Sequence, residues 1–295
     1  MEPHRAVKKF LERTLQGGRM SHAYLFLGEE GIGKKEMALW YEKQLNPTEG
    51  KTRFYLLLTE LEEGKKKILI EQIQGIRRWL MLGTGSKRRV VVISPAEAMT
   101  PDAQNALLKT LEEPTPGVVF ILLVQQLEGL KETILSRCQI LRFGKMNYKE
   151  GRDWLRGKGG LTDQEIEKTI FLGEGKIRKI KFWLEHQREI PAEIQFWQEI
   201  ESLIGGDLKM RLSWMEKNFA KMDLEKFLHS ALNLYHHLLL QQAEKKKKDS
   251  FFSSAAHYSW LELFNILSSL REARGLLRST NVNKKLIFNQ LFINL

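Results

Sequence analysis

Eight residues near the start of the chain have the spacing of a phosphate-binding turn: Gly28-Glu29-Glu30-Gly31-Ile32-Gly33-Lys34-Lys35. They follow the pattern G-x-x-x-x-G-K-[ST] up to the last position, where Lys35 replaces Ser or Thr. In such a turn, glycines let backbone N–H groups converge on phosphate oxygens, and the next helix adds the positive end of its dipole. Lys34 is the residue that reaches the outer phosphates. The missing hydroxyl normally helps to hold Mg²⁺, and the Lys35 ammonium brings a repelling charge to that place. A glycine-rich strand-to-helix turn that binds nothing has the same spelling, so residual binding of ATP, ADP or phosphate stays open.

Phosphoryl transfer also needs an acid at the end of a central strand, to hold the metal and orient water. The β-branched run Arg89-Val90-Val91-Val92-Ile93 is such a strand, but Ser94 and Pro95 follow it and can do neither job. Glu97, the nearest carboxylate, lies past the strand end and reads as a surface residue. Losing both functions costs several orders of magnitude, at about 1.4 kcal/mol for each factor of ten, so useful ATP hydrolysis is not expected. No covalent nucleophile takes over. Cys138, the single cysteine, has no histidine near it in sequence and reads as a small buried residue. His236 and His237 are adjacent, point in different directions on a helix and make a poor metal pair; a helix surface is their expected place. No metal site is predicted.

Positioning these residues takes alternating strands and helices. Val7, Phe10, Leu11 and Leu15 give Ala6–Gln16 the spacing of an amphipathic helix. Ala23–Leu27 is a short apolar run ending in glycine, the pattern of a buried parallel strand. A helix is predicted over Glu36–Leu45, stopped by Asn46-Pro47. Arg53–Thr59 reads as a strand, Ile68–Leu82 as a helix and Gly83–Ser86 as a turn. Pro101–Glu112 is helical with Pro101 in its first turn, and Pro114, Pro116 and Gly117 end it. Val118–Val124 and Ile140–Phe143 complete the strands. This alternation predicts an α/β fold with a parallel sheet.

From Asn147 onward the period is helical, broken at Gly159-Gly160 and Gly205-Gly206. One stripe joins Leu224, Phe227, Leu228, Ala231, Leu232, Tyr235, Leu238 and Leu239; another joins Trp260, Leu263, Phe264, Leu267 and Leu270. Glu244–Ser250 between them suits a loop. The boundaries fall near 145 and 190, giving segments 1–145, 146–190 and 191–295.

Composition sets the outer limits. A content of 42% hydrophobic and 28% charged residues is that of an ordinary soluble globular protein. No apolar run approaches the roughly 18 residues of a membrane helix, and the first residues lack a signal core, so a cytoplasmic location is expected. The net charge of +11 suits either nucleic acid or a solvated lysine-rich surface. Its scatter over Lys65–Lys67, Lys87–Arg89 and Lys245–Lys248 favours the surface.

Longer ordered runs make the chain resemble a known family. They are Ser21-His22-Ala23-Tyr24-Leu25-Phe26-Leu27-Gly28, the stretch Met99 to Pro114 with its Asn105-Ala106-Leu107-Leu108-Lys109-Thr110-Leu111-Glu112-Glu113-Pro114, then Thr133 to Gln139, and Asn281-Val282-Asn283 with Leu286. These are similar to the clamp-loader subunits of the AAA+ class, above all the delta-prime branch of the bacterial DNA polymerase III holoenzyme. The likeness is strong over the first 145 residues, moderate in the middle, and rests on the last helices in the C-terminal third.

The resemblance implies a RecA-like AAA+ P-loop domain at 1–145, a helical lid at 146–190 and an all-α collar-type oligomerisation domain at 191–295. It implies assembly with gamma/tau-type motor subunits and a delta-type subunit, in a loader that places a sliding clamp on primed DNA. No cofactor is required of the chain itself. Ser136-Arg137-Cys138 corresponds to a motif whose arginine reaches ATP on a neighbouring subunit, although Arg137 also suits a structural salt bridge. Gln125 falls where relatives carry a Thr or Asn that senses the γ-phosphate. Arg178 sits where a second sensing arginine is expected, but Lys176, Lys179 and Lys181 beside it fit a plain basic surface. Many relatives carry a four-cysteine zinc module; no cysteine stands there in this chain, so zinc is not expected.

Two alternatives remain. An active motor subunit of the same family requires Ser or Thr at position 35 and acids at 94 and 95. A stand-alone nucleic-acid-binding protein requires basic and aromatic residues clustered on one element, whereas Phe182-Trp183 and Phe251-Phe252 read as core.

Overall fold

The computed structural model describes residues 4–47, 56–81, 88–243, 258–277 and 283–295. Two compact units divide the chain, 1–185 and 186–295.

The first unit opens with α1 (Arg5–Gln16), β1 (Ala23–Leu27) and α2 (Lys34–Leu45). Next come β2 (Leu56–Glu60), α3 (Ile70–Met81), β3 (Arg89–Ser94), α4 (Pro101–Glu112), β4 (Val118–Val124), the four-residue α5 (Glu132–Leu135) and β5 (Gln139–Arg142). The five strands form one parallel sheet in the order β2-β3-β4-β1-β5. This is the parallel α/β sheet that the alternating pattern predicts. Side chains leave a strand on alternate faces, so each strand feeds two cores. Tyr24, Phe26, Val90, Val92 and Ile121 pack with Leu11, Ala38 and Tyr41 from α1 and α2. Leu25, Val91, Ile93, Phe120 and Leu122 pack with Ile73, Ile76, Leu107 and Leu111 from α3 and α4.

Element ends differ from the predicted ones for local reasons. The second helix starts at Lys34 rather than Glu36, because Gly33 in a left-handed conformation is its N-cap. The third starts at Ile70 rather than Ile68, because Ile68 makes a parallel bridge with Met99. The last strand is Gln139–Arg142 rather than 140–143. Residues 53–55 of the predicted second strand, the Gly83–Ser86 turn, Leu82, the 245–248 lysines, the 244–250 loop, Phe251-Phe252 and Asn281-Val282 lie outside the described residues.

Three helices complete the first unit: α6 (Tyr148–Arg156), α7 (Asp163–Gly173) and α8 (Ile177–Glu185). Capping boxes at Asn147/Glu150 and Thr162/Glu165 start α6 and α7. Their own small core joins Met146, Leu155, Ile166, Ile170, Ile177 and Ile180. These helices belong with the sheet to one compact unit, which ends at Glu185 instead of near 190. Phe182, read as core from sequence, is exposed on α8.

The second unit is helical among its described residues: α9 (Ile190–Gly205), α10 (Leu208–Asn218), α11 (Leu224–Ala243), α12 (Trp260–Leu277) and α13 (Lys284–Asn294). The α11 stripe is buried at Phe227, Leu228, Ala231, Leu232, Tyr235 and Leu238. On α12 the stripe is corrected. Leu263, Ile266, Leu267, Leu270 and Ala273 are buried, while Trp260 and Phe264 are exposed and stacked on each other. At 100° per residue those two fall on the edge of the buried face, not at its centre. His236 and His237 lie side by side on α11, the first exposed and the second half-buried. No helix among the described residues is long and apolar enough to cross a membrane.

Candidate functional site

The phosphate loop runs from the end of β1 to the start of α2. Gly28 passes so close to the Phe143 carbonyl and the Ile32 side chain that a Cβ there would collide with both. Gly33 has φ of 105°, and a Cβ on it would stand 2.6 Å from Ile177 Cδ1 on α8. The loop is therefore closely packed as well as glycine-rich. Lys34 is buried and its ammonium donates to the carbonyls of Gly28 and Glu29. Burial pushes its pKa down, while the carboxylates of Glu97, Glu30 and Glu29 hold it up. His4 lies on the same loop, bonded to the Ile32 carbonyl and edge-on to Phe143.

Lys35 turns outward to Glu60 at the end of β2, at 2.7 Å. Glu60 is paired in register with Ser94, the last residue of β3. An ammonium–carboxylate pair thus lies beside the strand end where an acid would hold a metal. The residues present do not fit Mg²⁺: the hydroxyl is replaced by a cation, Ser94 and Pro95 supply no carboxylate, and Glu60 is engaged by Lys35. No group of three or more metal-ligating side chains exists among the described residues.

Glu97 is not the surface residue that sequence suggests. It is half-buried, its Oε1 accepts the N–H of Gln125 at 2.8 Å, and its Oε2 is buried without a hydrogen-bond donor. The Gln125 side chain is exposed just past β4, so only its backbone enters the site. The charge of Glu97 helps to hold the Lys34 ammonium protonated against burial.

The helices after the sheet close on this loop. The N–H of Arg178, in the first turn of α8, donates to the Gly31 carbonyl at 2.9 Å. Its guanidinium pairs with Glu30 at 3.0 Å, well exposed to solvent. Lys176 and Lys145 both pair with Glu29, and Lys181 reaches Glu36. Glu29 and Glu30, two acids in a glycine-rich loop, are a sequence signal that could have pointed to these contacts. Each exposed pair is weak, about 0–1 kcal/mol, but together with the Ile177 packing they join lid to loop.

Arg137 lies away from the loop, just after α5. Its Nη2 pairs with Glu112 at 2.8 Å, and its Nη1 donates to the Thr133 carbonyl and to Ser136 Oγ. Ser136 Oγ donates to the same carbonyl. Cys138 lies on the other side, partly rather than fully buried against the sheet core, and burial pushes its thiol up to about 12. Buried Gln104 of α4 donates to the carbonyls of Met99 and Gly129 and accepts the N–H of Lys131, the cap of α5. Gln104, Glu112 and Glu60 escaped the sequence reading; the first two lie within the Met99–Pro114 run that carries the resemblance.

Comparison with known proteins supplies kinship. The family described as DNA polymerase III, delta subunit, matches residues 3–147. DNA polymerase III subunit delta' of Bacillus subtilis is 33% identical over 166 residues, 50% of this chain and 50% of that protein. The subunit delta' of Pseudomonas aeruginosa is 37% identical over 142 residues, 41% of this chain and 43% of that one. The chain spans about half the length of the curated relatives it matches. A solved structure of a DNA polymerase III gamma-subunit-related protein from Thermotoga maritima covers 99% of this chain and 98% of its own, with a TM-score of 0.51 and 20% identity. At that identity the likeness speaks for the fold alone.

Proposed function

We propose that this chain, whose residues 3–147 match the family described as DNA polymerase III, delta subunit, is a delta-prime-like clamp-loader protein that neither binds Mg²⁺ nor hydrolyses ATP, and that it lends Arg137 to the ATP site of a neighbouring subunit. In this reading it joins gamma/tau-type motor subunits and a delta-type subunit in a cytoplasmic hetero-oligomer. That assembly places a sliding clamp on primed DNA, and any contact with DNA runs through backbone phosphates in the assembled complex. The chain needs no nucleotide or zinc of its own.

One observation carries the reading: the Lys35–Glu60 ion pair lies where a hydroxyl and a metal would be needed. Its counterpart is Arg137, partly exposed beside Ser136, because a guanidinium supplied from outside stabilises charge on a transferred phosphoryl group. The purified chain is expected to show no Mg²⁺-dependent ATPase above background. Reconstituted with its motor subunits, clamp and primed DNA, it should support turnover that Arg137→Ala lowers. Turnover by the isolated chain would overturn the first half of the proposal, and an unchanged rate with Arg137→Ala the second. The Glu112 pair favours a second reading, in which Arg137 only ties α5 to α4; then Arg137→Ala lowers the stability of the isolated chain and leaves the loader's rate unchanged.

A further inference from the structure

We infer that Glu112 is a positioning residue for Arg137, a role that rests on the reading of Arg137 as an arginine acting in trans. Glu112 is the last residue of α4, where the negative end of the helix dipole disfavours a carboxylate. Its placement gives α4 no electrostatic benefit. The benefit falls on Arg137, 2.8 Å away.

The guanidinium geometry shows what is held and what is left. Its Nη1 donates to the Thr133 carbonyl and to Ser136 Oγ, and its Nη2 stands 2.8 Å from Glu112 Oε1 as an ion pair. Among the described residues Nε–H has no acceptor and Nη2 has no partner besides Glu112, and the side chain is 35% exposed. Two N–H groups in one plane suffice for a forked contact to an outside oxyanion. Glu112 fixes the rotation of that plane; without it the long side chain swings about the Thr133 anchor.

The frame under the pair is stiff. Gln104 bonds the start of α4 to the residues that lead into α5, and the Glu112–Arg137 pair bonds the end of α4 to the end of α5. A four-residue helix has little rigidity of its own, so these two ties orient the arginine.

The test is a double-mutant cycle on steady-state ATPase of the reconstituted loader with clamp and primed DNA. The arms are wild type, Glu112→Gln, Glu112→Asp, Arg137→Ala and the double variant Glu112→Gln/Arg137→Ala. We expect Glu112→Gln to lower kcat about three- to fivefold with little change in the KM for ATP, the rate equivalent of a partly exposed ion pair. Glu112→Asp should recover part of that loss, and the double variant should be no slower than Arg137→Ala alone. Thermal melts of each isolated chain check that the variants fold; a misfolded Glu112→Gln would leave Glu112→Asp and its own double variant to close the cycle. An unchanged or raised kcat in Glu112→Gln overturns the inference, as does an additive double variant. If Arg137→Ala itself leaves the rate unchanged, it is the reading of Arg137 that fails.

Discussion

At the phosphate loop the cations are engaged within the chain. Lys34 is buried on the carbonyls of its own loop, Lys35 meets Glu60, Lys176 and Lys145 meet Glu29, and Arg178 meets Glu30. At Arg137 the guanidinium has a carboxylate on one side and donors left over on the other. One place has its charges neutralised internally and the other keeps charge facing outward. The contrast teaches that cations of one chain differ in availability according to the acids placed beside them: at the loop Glu29, Glu30 and Glu60 each take a basic partner, whereas Glu112 takes only one side of Arg137.

The largest effect that could break this contrast lies at Arg137. An arginine acting in trans is worth about 10³–10⁵ in kcat at the site it serves. Arg137→Lys keeps the charge but loses the planar fork, so the site it serves should slow almost as much as with Arg137→Ala. Single-turnover hydrolysis in the assembled loader reads this directly. A lysine that works as well as arginine would reduce the role to simple charge.

Next in size is Gly33→Ala. The residue would need a left-handed φ, and its Cβ would press on Ile177 of α8. The expected loss is about 1–3 kcal/mol, measured by chemical denaturation of the isolated chain. A neutral result would mean that lid and loop are not in contact in solution.

How much of this was legible in the sequence depends on the range of the interactions. The strands and the loop could be read because their signals are local: an apolar run, then glycines at fixed spacing. Lys35, Ser94 and Pro95 stood out because a motif fixes what belongs there. Glu60 and Glu97 could not be read, since their partners lie 25 and 28 residues away and only the sheet register brings them together. The α12 stripe failed for a different reason: a period of 3.6 gives a buried face but not its centre.

A smaller effect is expected at Lys35→Thr. It restores the missing hydroxyl and removes an exposed ion pair, so stability should change by less than about 1 kcal/mol. No Mg²⁺-dependent ATPase should appear in the isolated chain while Ser94 and Pro95 remain. Hydrolysis by this single variant would show that the strand end is not the second defect.

The smallest expected effect tests the join of lid and loop by pH. Burial alone would push the Glu29 carboxyl up, but hydrogen bonds from Lys176 and Lys145 hold it below its ordinary value of 4.5. A carboxyl lowered in the folded state stabilises the fold above that ordinary value, and the contribution is lost as pH falls through the folded value. Wild type should therefore exceed Glu29→Gln in stability at pH 6 by less than about 1 kcal/mol, since the pair is half exposed. The gap should be smaller at pH 3 than at pH 6, because the folded value lies below 4.5, and 1 M salt should shrink it at pH 6, where the screening length is about 3 Å. Paired denaturant titrations at the two pH values decide it. A gap that is the same at both pH values and in high salt would mean that Glu29 acts through packing, and the lid would then rest on Ile177 and the Gly31 carbonyl rather than on charge.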